Sequence, residues 1–220
     1  DARDDNGKKI DNKYLFDGLN IMQTGERYLA HMGQYPVINL SLKSGKQPDF
    51  EMARDSLIDE IQQEFQRHKY IIKSSSLDAY QIEKFENLRT GKAPKVEYAK
   101  SLEFLSQCLQ KYFGKKAVIL IDEYDVPLEH SFLEGFYHEM IGFIRSLFES
   151  ALKTNASLEF AVITGCLSIS KESIFTGMNN LEIISIFCNS CKYFRFIFIK
   201  AIHKFLLLFL LIFSFAHWTY

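Results

Sequence analysis

Residues Ala117–Ile121 (AVILI) constrain the fold more than any other stretch. They form an unbroken apolar run, bounded by Lys115, Lys116 and Asp122. A strand with one wet face alternates apolar and polar residues. A run that is apolar at every position fits a strand covered on both faces, as in the centre of a parallel sheet packed by helices. Leu158–Thr164 (LEFAVIT), ending at Gly165, reads as a second buried strand. Gln34–Leu42 (QYPVINLSL) alternates after its proline and reads as a third. Helical spacing fills the gaps. Pro48 and Asp49 introduce a helix of about 20 residues with Phe50, Ala53, Leu57, Ile61 and Phe65 on one stripe. The spacing returns at Leu77–Leu88, and Thr90–Pro94 breaks it. It appears again at Leu102, Leu105, Leu109 and Tyr112, closed by Gly114, and then at Phe136, Met140, Phe143, Leu147 and Ala151. Strand, helices, strand, helix, strand is the order of a doubly wound α/β domain.

A chain of 220 residues accommodates one such domain with a sizeable core. Lys+Arg 26 against Asp+Glu 27 leaves a formal charge of -1, which offers no global electrostatic case for nucleic acid or an anionic membrane. The four cysteines, at 108, 166, 188 and 191, are unevenly spread in a chain too large to need staples. A reduced, cytoplasmic protein is the natural expectation. Residues 1–13 are polar and charged, with no signal peptide, and the start at Asp1 reads as lying inside a longer gene product.

Chemistry concentrates where the first apolar run ends, at Asp122-Glu123-Tyr124-Asp125. An apolar strand running into two adjacent carboxylates is the Walker B pattern. The strand end delivers its acids into the crevice where open α/β sheets bind ligands. Asp122 would hold Mg²⁺, which favours a few carboxylates, retained waters and phosphate oxygens. Glu123 would polarise a water for in-line attack on a γ-phosphate. Thr164, at the same edge of the sheet, is placed to sense that phosphate. Each feature also has a plainer explanation, since strand ends meet solvent and a threonine there can simply cap.

The segments FDGLNI (16–21), QYPVINLSLKS (34–44), AVILIDEYDVPLEHSFLEGFYHEMIGFIRSLFESALKTN (117–155) and LEFAVITGCLSISKESIFTGMNNL (158–181) together resemble the AAA-ATPase-like family. In that family the core is often followed by a nuclease-like domain of the PD-(D/E)XK type. The resemblance implies a P-loop ATPase fold using ATP and Mg²⁺, with Asp122 and Glu123 as the Walker B acids and Thr164 near the sensor position. It also leaves open a homo-oligomer, because such sites often lie between subunits. Lys171 and Glu172 fall in the matching KESIF segment without a role that the resemblance supplies.

Three departures stand against that pattern. No G-x-x-x-x-G-K-[ST] phosphate loop occurs: Gly7-Lys8, Gly45-Lys46, Gly91-Lys92 and Gly114-Lys115 are followed by Lys9, Gln47, Ala93 and Lys116, none with the hydroxyl that Mg²⁺ needs. Ser168 stands where relatives usually carry an arginine, whose charge and forked donors serine lacks. From Phe187 onward the chain is dense in Phe, Leu and Ile and has no acidic residue. This tail reads as a shifted frame or read-through. A membrane anchor is the rival, although the uncharged stretch Phe205–Ala216 is short of a span of about 20 residues. Cys188-x-x-Cys191 with His203 and His217 does not have zinc-site spacing.

The sequence therefore predicts an α/β fold: an incomplete P-loop NTPase-type parallel sheet flanked by helices over residues 14–186, and a hydrophobic helical or disordered tail over 187–220. The functional expectation is a fragment of an ATPase domain, binding ATP–Mg²⁺ weakly or not at all without its phosphate loop. The alternative is a non-catalytic interaction module or pseudogene product, with membrane contact through the tail as a further variant.

Overall fold

The computed structural model describes residues 3–4, 6–166 and 174–175, together with the strands at 181–188 and 191–199 as backbone alone. Three parallel strands form the heart of the sheet: β1 (Val37–Ser41), β2 (Ala117–Asp122) and β3 (Leu158–Gly165). Two more, β4 (Leu181–Cys188) and β5 (Cys191–Ile199), make an antiparallel pair, and β5 lies antiparallel against β3. The strand order is β1-β2-β3-β5-β4. An α/β domain with a parallel sheet flanked by helices is thus what the chain forms.

β4 and β5 carry the described backbone from 181 into the stretch beyond residue 186. Ile-Ile-Ser-Ile-Phe and Lys-Tyr-Phe-Arg-Phe-Ile-Phe-Ile are rich in β-branched and aromatic residues, which favour extended backbone. The remainder of the tail, including the anchor candidate, lies outside the described residues. Among the described residues, no helix is long and apolar enough to cross a membrane.

Before β1 lie two 3-10 turns, Lys13–Phe16 and Asn20–Gln23, and one short α-helix, α1 (Glu26–Leu29). The helices that cover the sheet form where the sequence supplies caps and stripes. In α2 (Phe50–Arg67), the Asp49 side chain accepts from Met52 N at 2.9 Å, and Ala53, Leu57, Ile58, Ile61 and Phe65 form the buried face. Asp78 and Gln81 close a reciprocal capping box on α3 (Ala79–Arg89). Leu102, Leu105, Cys108 and Leu109 face inward from α4 (Ser101–Phe113), which Gly114 ends at φ 67°. A helix that the spacing did not announce, α5 (Val126–Glu134), starts with Pro127 and stops at Gly135. It leads into α6 (Tyr137–Phe148), whose Met140, Ile141, Ile144, Leu147 and Phe148 are buried.

These faces enclose one apolar core around Ile119, Ile121, Ala161 and Ile163. Leu120 is only half-buried, so β2 is less completely covered on one face than its unbroken apolar run implied. The turn after β1 presses closely on the helices that flank it. A Cβ at Gly45 would lie 2.8 Å from Pro127 Cβ and 3.2 Å from a Leu57 methyl. This contact fixes the start of α5 against the carboxyl ends of the strands.

Candidate functional site

The carboxyl ends of β1, β2 and β3 meet at one edge. Register sets Ser41 opposite Asp122 and Leu40 opposite Ile121. Asp122, the last residue of β2, is exposed, while Ile121 before it is buried. Its Oδ1 accepts a hydrogen bond from the Thr164 hydroxyl on β3 and another from the Glu123 backbone N–H at 2.9 Å. Three of the residues singled out by the sequence are therefore together: Asp122 touches both Thr164 and Glu123. Thr164 is buried at 9% exposure, so its hydroxyl is directed by packing.

Glu123 has a left-handed backbone, φ 56°, and is the one non-glycine residue among those described with positive φ. Such a conformation costs an L-residue about 1–2 kcal/mol and is held only when its surroundings require it. Here the chain leaves the strand and folds back at once. Tyr124 N–H donates to Thr164 O at 3.2 Å, and α5 begins two residues later. The Glu123 carboxylate turns toward β1, where the Ser41 hydroxyl donates to Oε2 at 3.3 Å.

Two residues beneath the acids lock this turn. Tyr124 is 1% exposed and meets the Phe175 ring edge to face at 5.7 Å, while Phe175 also stacks on Phe148. The buried Asp125 carboxylate accepts from Cys166 N at 2.8 Å, tying the start of α5 to the end of β3. This arrangement needs a glycine at 165, because a Cβ there would lie 2.6 Å from both Asp125 Oδ1 and Tyr124 Cε1.

The edge is electrically negative. The Cys166 thiol is pushed above its ordinary range, first by desolvation and then by the carboxylates of Asp125, Glu123, Asp122 and Glu129. That field favours a cation. Among the described residues, no group of three or more His, Cys, Asp or Glu side chains could enclose one. The donors present are hard oxygens, which suits Mg²⁺ held by one or two carboxylates with its other positions left to water and phosphate.

Sequence reasoning gave Ser41 no role, and named Tyr124 and Gly165 only as a member of the acidic motif and as a strand end. Ser41 is one of the polar residues of the alternating stretch Gln34–Leu42, and its place beside Glu123 depends on the β1–β2 register. Ser168, Lys171 and Glu172 lie outside the described residues, as do His203, His217 and the side chains of Cys188 and Cys191. Of the KESIF segment, Ile174 and Phe175 are described, and both are buried.

A parallel α/β domain with paired acids closing its central strand is the class that this geometry defines. The profile of the AAA-ATPase-like family, described as Predicted AAA-ATPase, matches residues 5–175, and the chain belongs to that family. It is also similar to an uncharacterized protein in the vnfD 5' region of Azotobacter chroococcum mcd 1, at 35% identity over 74 residues. That similarity spans 33% of this chain and 14% of the other protein. No solved structure matches the chain.

Proposed function

We propose that the edge formed by Asp122, Glu123 and Thr164 is the Mg²⁺- and water-handling half of an ATPase site. The observation that supports this most is the contact of Asp122 with both neighbours: a strand-end carboxylate held by the Thr164 hydroxyl and followed directly by a second acid. Bound Mg²⁺–ATP would supply the phosphoryl group and the positive charge that offsets its oxygens. The chain's own contribution is placement. Asp122 presents one carboxylate to the cation and is kept in position by Thr164. The Thr164 hydroxyl, which donates to Asp122, would be a donor for a phosphate oxygen when nucleotide is bound. Glu123 accepts a proton from water or orients it, with its carboxylate kept toward β1 by Ser41.

The same reading proposes ATP as ligand and Asp122 as the metal-binding residue. Thermal melts test it. A ligand bound by the native state alone raises stability by RT ln(1 + [L]/Kd), about 2.7 kcal/mol at a hundredfold excess over Kd. Mg²⁺–ATP at millimolar concentration should raise Tm, Mg²⁺ alone should do so less, and Asp122→Asn should remove most of the effect. Equal melts with and without nucleotide would favour the second reading, a non-hydrolysing interaction domain. That reading is supported by the four Gly-Lys pairs, none of which is followed by Ser or Thr.

A further inference from the structure

The outer edge of β1 carries an arrangement that the candidate site does not use. β1 stands first in the strand order, so among the described residues one side of its backbone faces no strand. Val118 N donates to Pro36 O and Leu42 N donates to Asp122 O, which turns the even-numbered residues toward β2. The amide and carbonyl of one strand residue point to the same side, so those of Val37, Asn39 and Ser41 point outward. An open edge of this kind invites pairing with another chain, and proteins usually guard it with charges, prolines or bulges. Val37-Ile-Asn-Leu-Ser41 contains no charge and no proline.

Two of its outward groups, the Asn39 amide and the Val37 carbonyl, are nevertheless satisfied by side chains from the end of α2 and the residue that follows. Asn39 N donates to Glu64 Oε1 at 2.9 Å. Val37 O accepts from Arg67 Nη2 at 2.6 Å and lies 3.2 Å from His68 Nε2. The three side chains also hold one another. Arg67 Nε donates to Glu64 Oε2 at 2.8 Å, and His68 Nε2 is 3.3 Å from Glu64 Oε1. The other ring nitrogen, Nδ1, is 3.1 Å from the Tyr70 hydroxyl. Glu64 and His68 are 6% and 2% exposed. Burying such groups costs free energy that apolar residues of the same size would not incur. A carboxylate and two donors set against one acceptor-seeking amide and one carbonyl reproduce what a neighbouring strand would offer.

We propose that Glu64, Arg67 and His68 are a side-chain surrogate for a neighbouring strand, keeping the β1 edge closed to pairing with a second copy of this chain. The second copy is the occupant that the strand's own length and polarity fit. In an antiparallel register centred on Asn39, that residue pairs with its counterpart and Val37 pairs with Ser41, so both strands use only outward-facing groups. An added strand and the three side chains compete for the same atoms, and one excludes the other.

Amide exchange and mass measurement in solution test this directly. In the unaltered chain, the outward Asn39 amide should exchange about 10-fold or more slowly than an open amide, comparable to inward Leu40. Exchange at the open rate overturns the proposal whatever the variants do. Glu64→Leu removes the acceptor and should shift the chain toward dimer by about 10-fold in dissociation constant, whereas Glu64→Gln, which keeps an acceptor oxygen, should stay near the parent. Adding Asn39→Pro to Glu64→Leu removes the amide needed for pairing at a position where an edge strand tolerates proline, and should restore the monomer. A folded Glu64→Leu chain that remains as monomeric as the parent, or a dimer that survives Asn39→Pro, refutes it. If Glu64→Leu does not fold, Arg67→Leu probes the same edge through Val37 O, with the same expected shift and the same refuting result.

Discussion

Replacing Gly165 with alanine should be among the most damaging single-methyl changes in the chain. The backbone at 165 is not left-handed, so alanine meets no conformational penalty, and the whole effect comes from collision. The added Cβ would sit 2.6 Å from Asp125 Oδ1, 2.6 Å from Tyr124 Cε1 and 2.7 Å from Tyr124 Cδ1. Tyr124 is fixed by burial and by Phe175 at 5.7 Å, so it cannot swing clear, and Asp125 can retreat only by loosening its bond to Cys166 N. Overpacking of a buried site costs about 1–3 kcal/mol, and weakening a hydrogen bond to a charged acceptor adds about 1.5 kcal/mol. A total near 3 kcal/mol corresponds to a fall in Tm of about 6–12 °C for a domain of this size. Differential scanning calorimetry on the two chains measures it. The nucleotide-dependent shift in Tm should fall as well, because the 122–125 turn is displaced. A Gly165→Ala chain melting within about 2 °C of the parent would refute the packing account.

Two further expectations follow from named groups. Glu123→Gly should be more stable than Glu123→Ala by about 1 kcal/mol, since both lose the Ser41 contact and glycine alone escapes the left-handed penalty; equal denaturant midpoints would mean that the turn is not strained. Glu64 is subject to burial, which raises its pKa, but hydrogen bonds and charge from His68 and Arg67 outweigh that and bring it below its ordinary 4.5. A carboxylate depressed in the folded state adds stability above its unfolded value and loses it as pH falls through the folded one. Melts from about pH 6 to about pH 3 should therefore lose stability below 4.5, and Glu64→Gln should flatten that loss; parallel profiles would contradict the assignment.

Much of the fold was legible because local rules and burial agreed. The expected helix after Asp49 begins with that residue as its cap, Gly114 ends the α4 helix, and AVILI is a central strand of the sheet. α5 escaped notice because its stripe is weak, and Phe132 and Leu133 are 72% and 73% exposed. Its signal was instead the pairing of Pro127 at the start with Gly135 at the end. The acids at 122 and 123 were readable from their position after an apolar run. Their partners were not, because Ser41 and Thr164 come from distant strands and only the sheet register brings them to the same edge.

The two halves of the sheet assemble under different chain-entropy demands. β4 and β5 are joined by the shortest of connections, and their pairing is local. Val37, by contrast, meets Val118 only after the chain has passed through α2, α3 and α4, so the β1–β2 ladder closes a long loop before any of its hydrogen bonds form. Non-local parallel pairings of this kind slow folding. β1 should therefore dock late, and the contact between Ser41 and Glu123 with it. Until β1 docks, the Glu123 carboxylate is without its Ser41 partner.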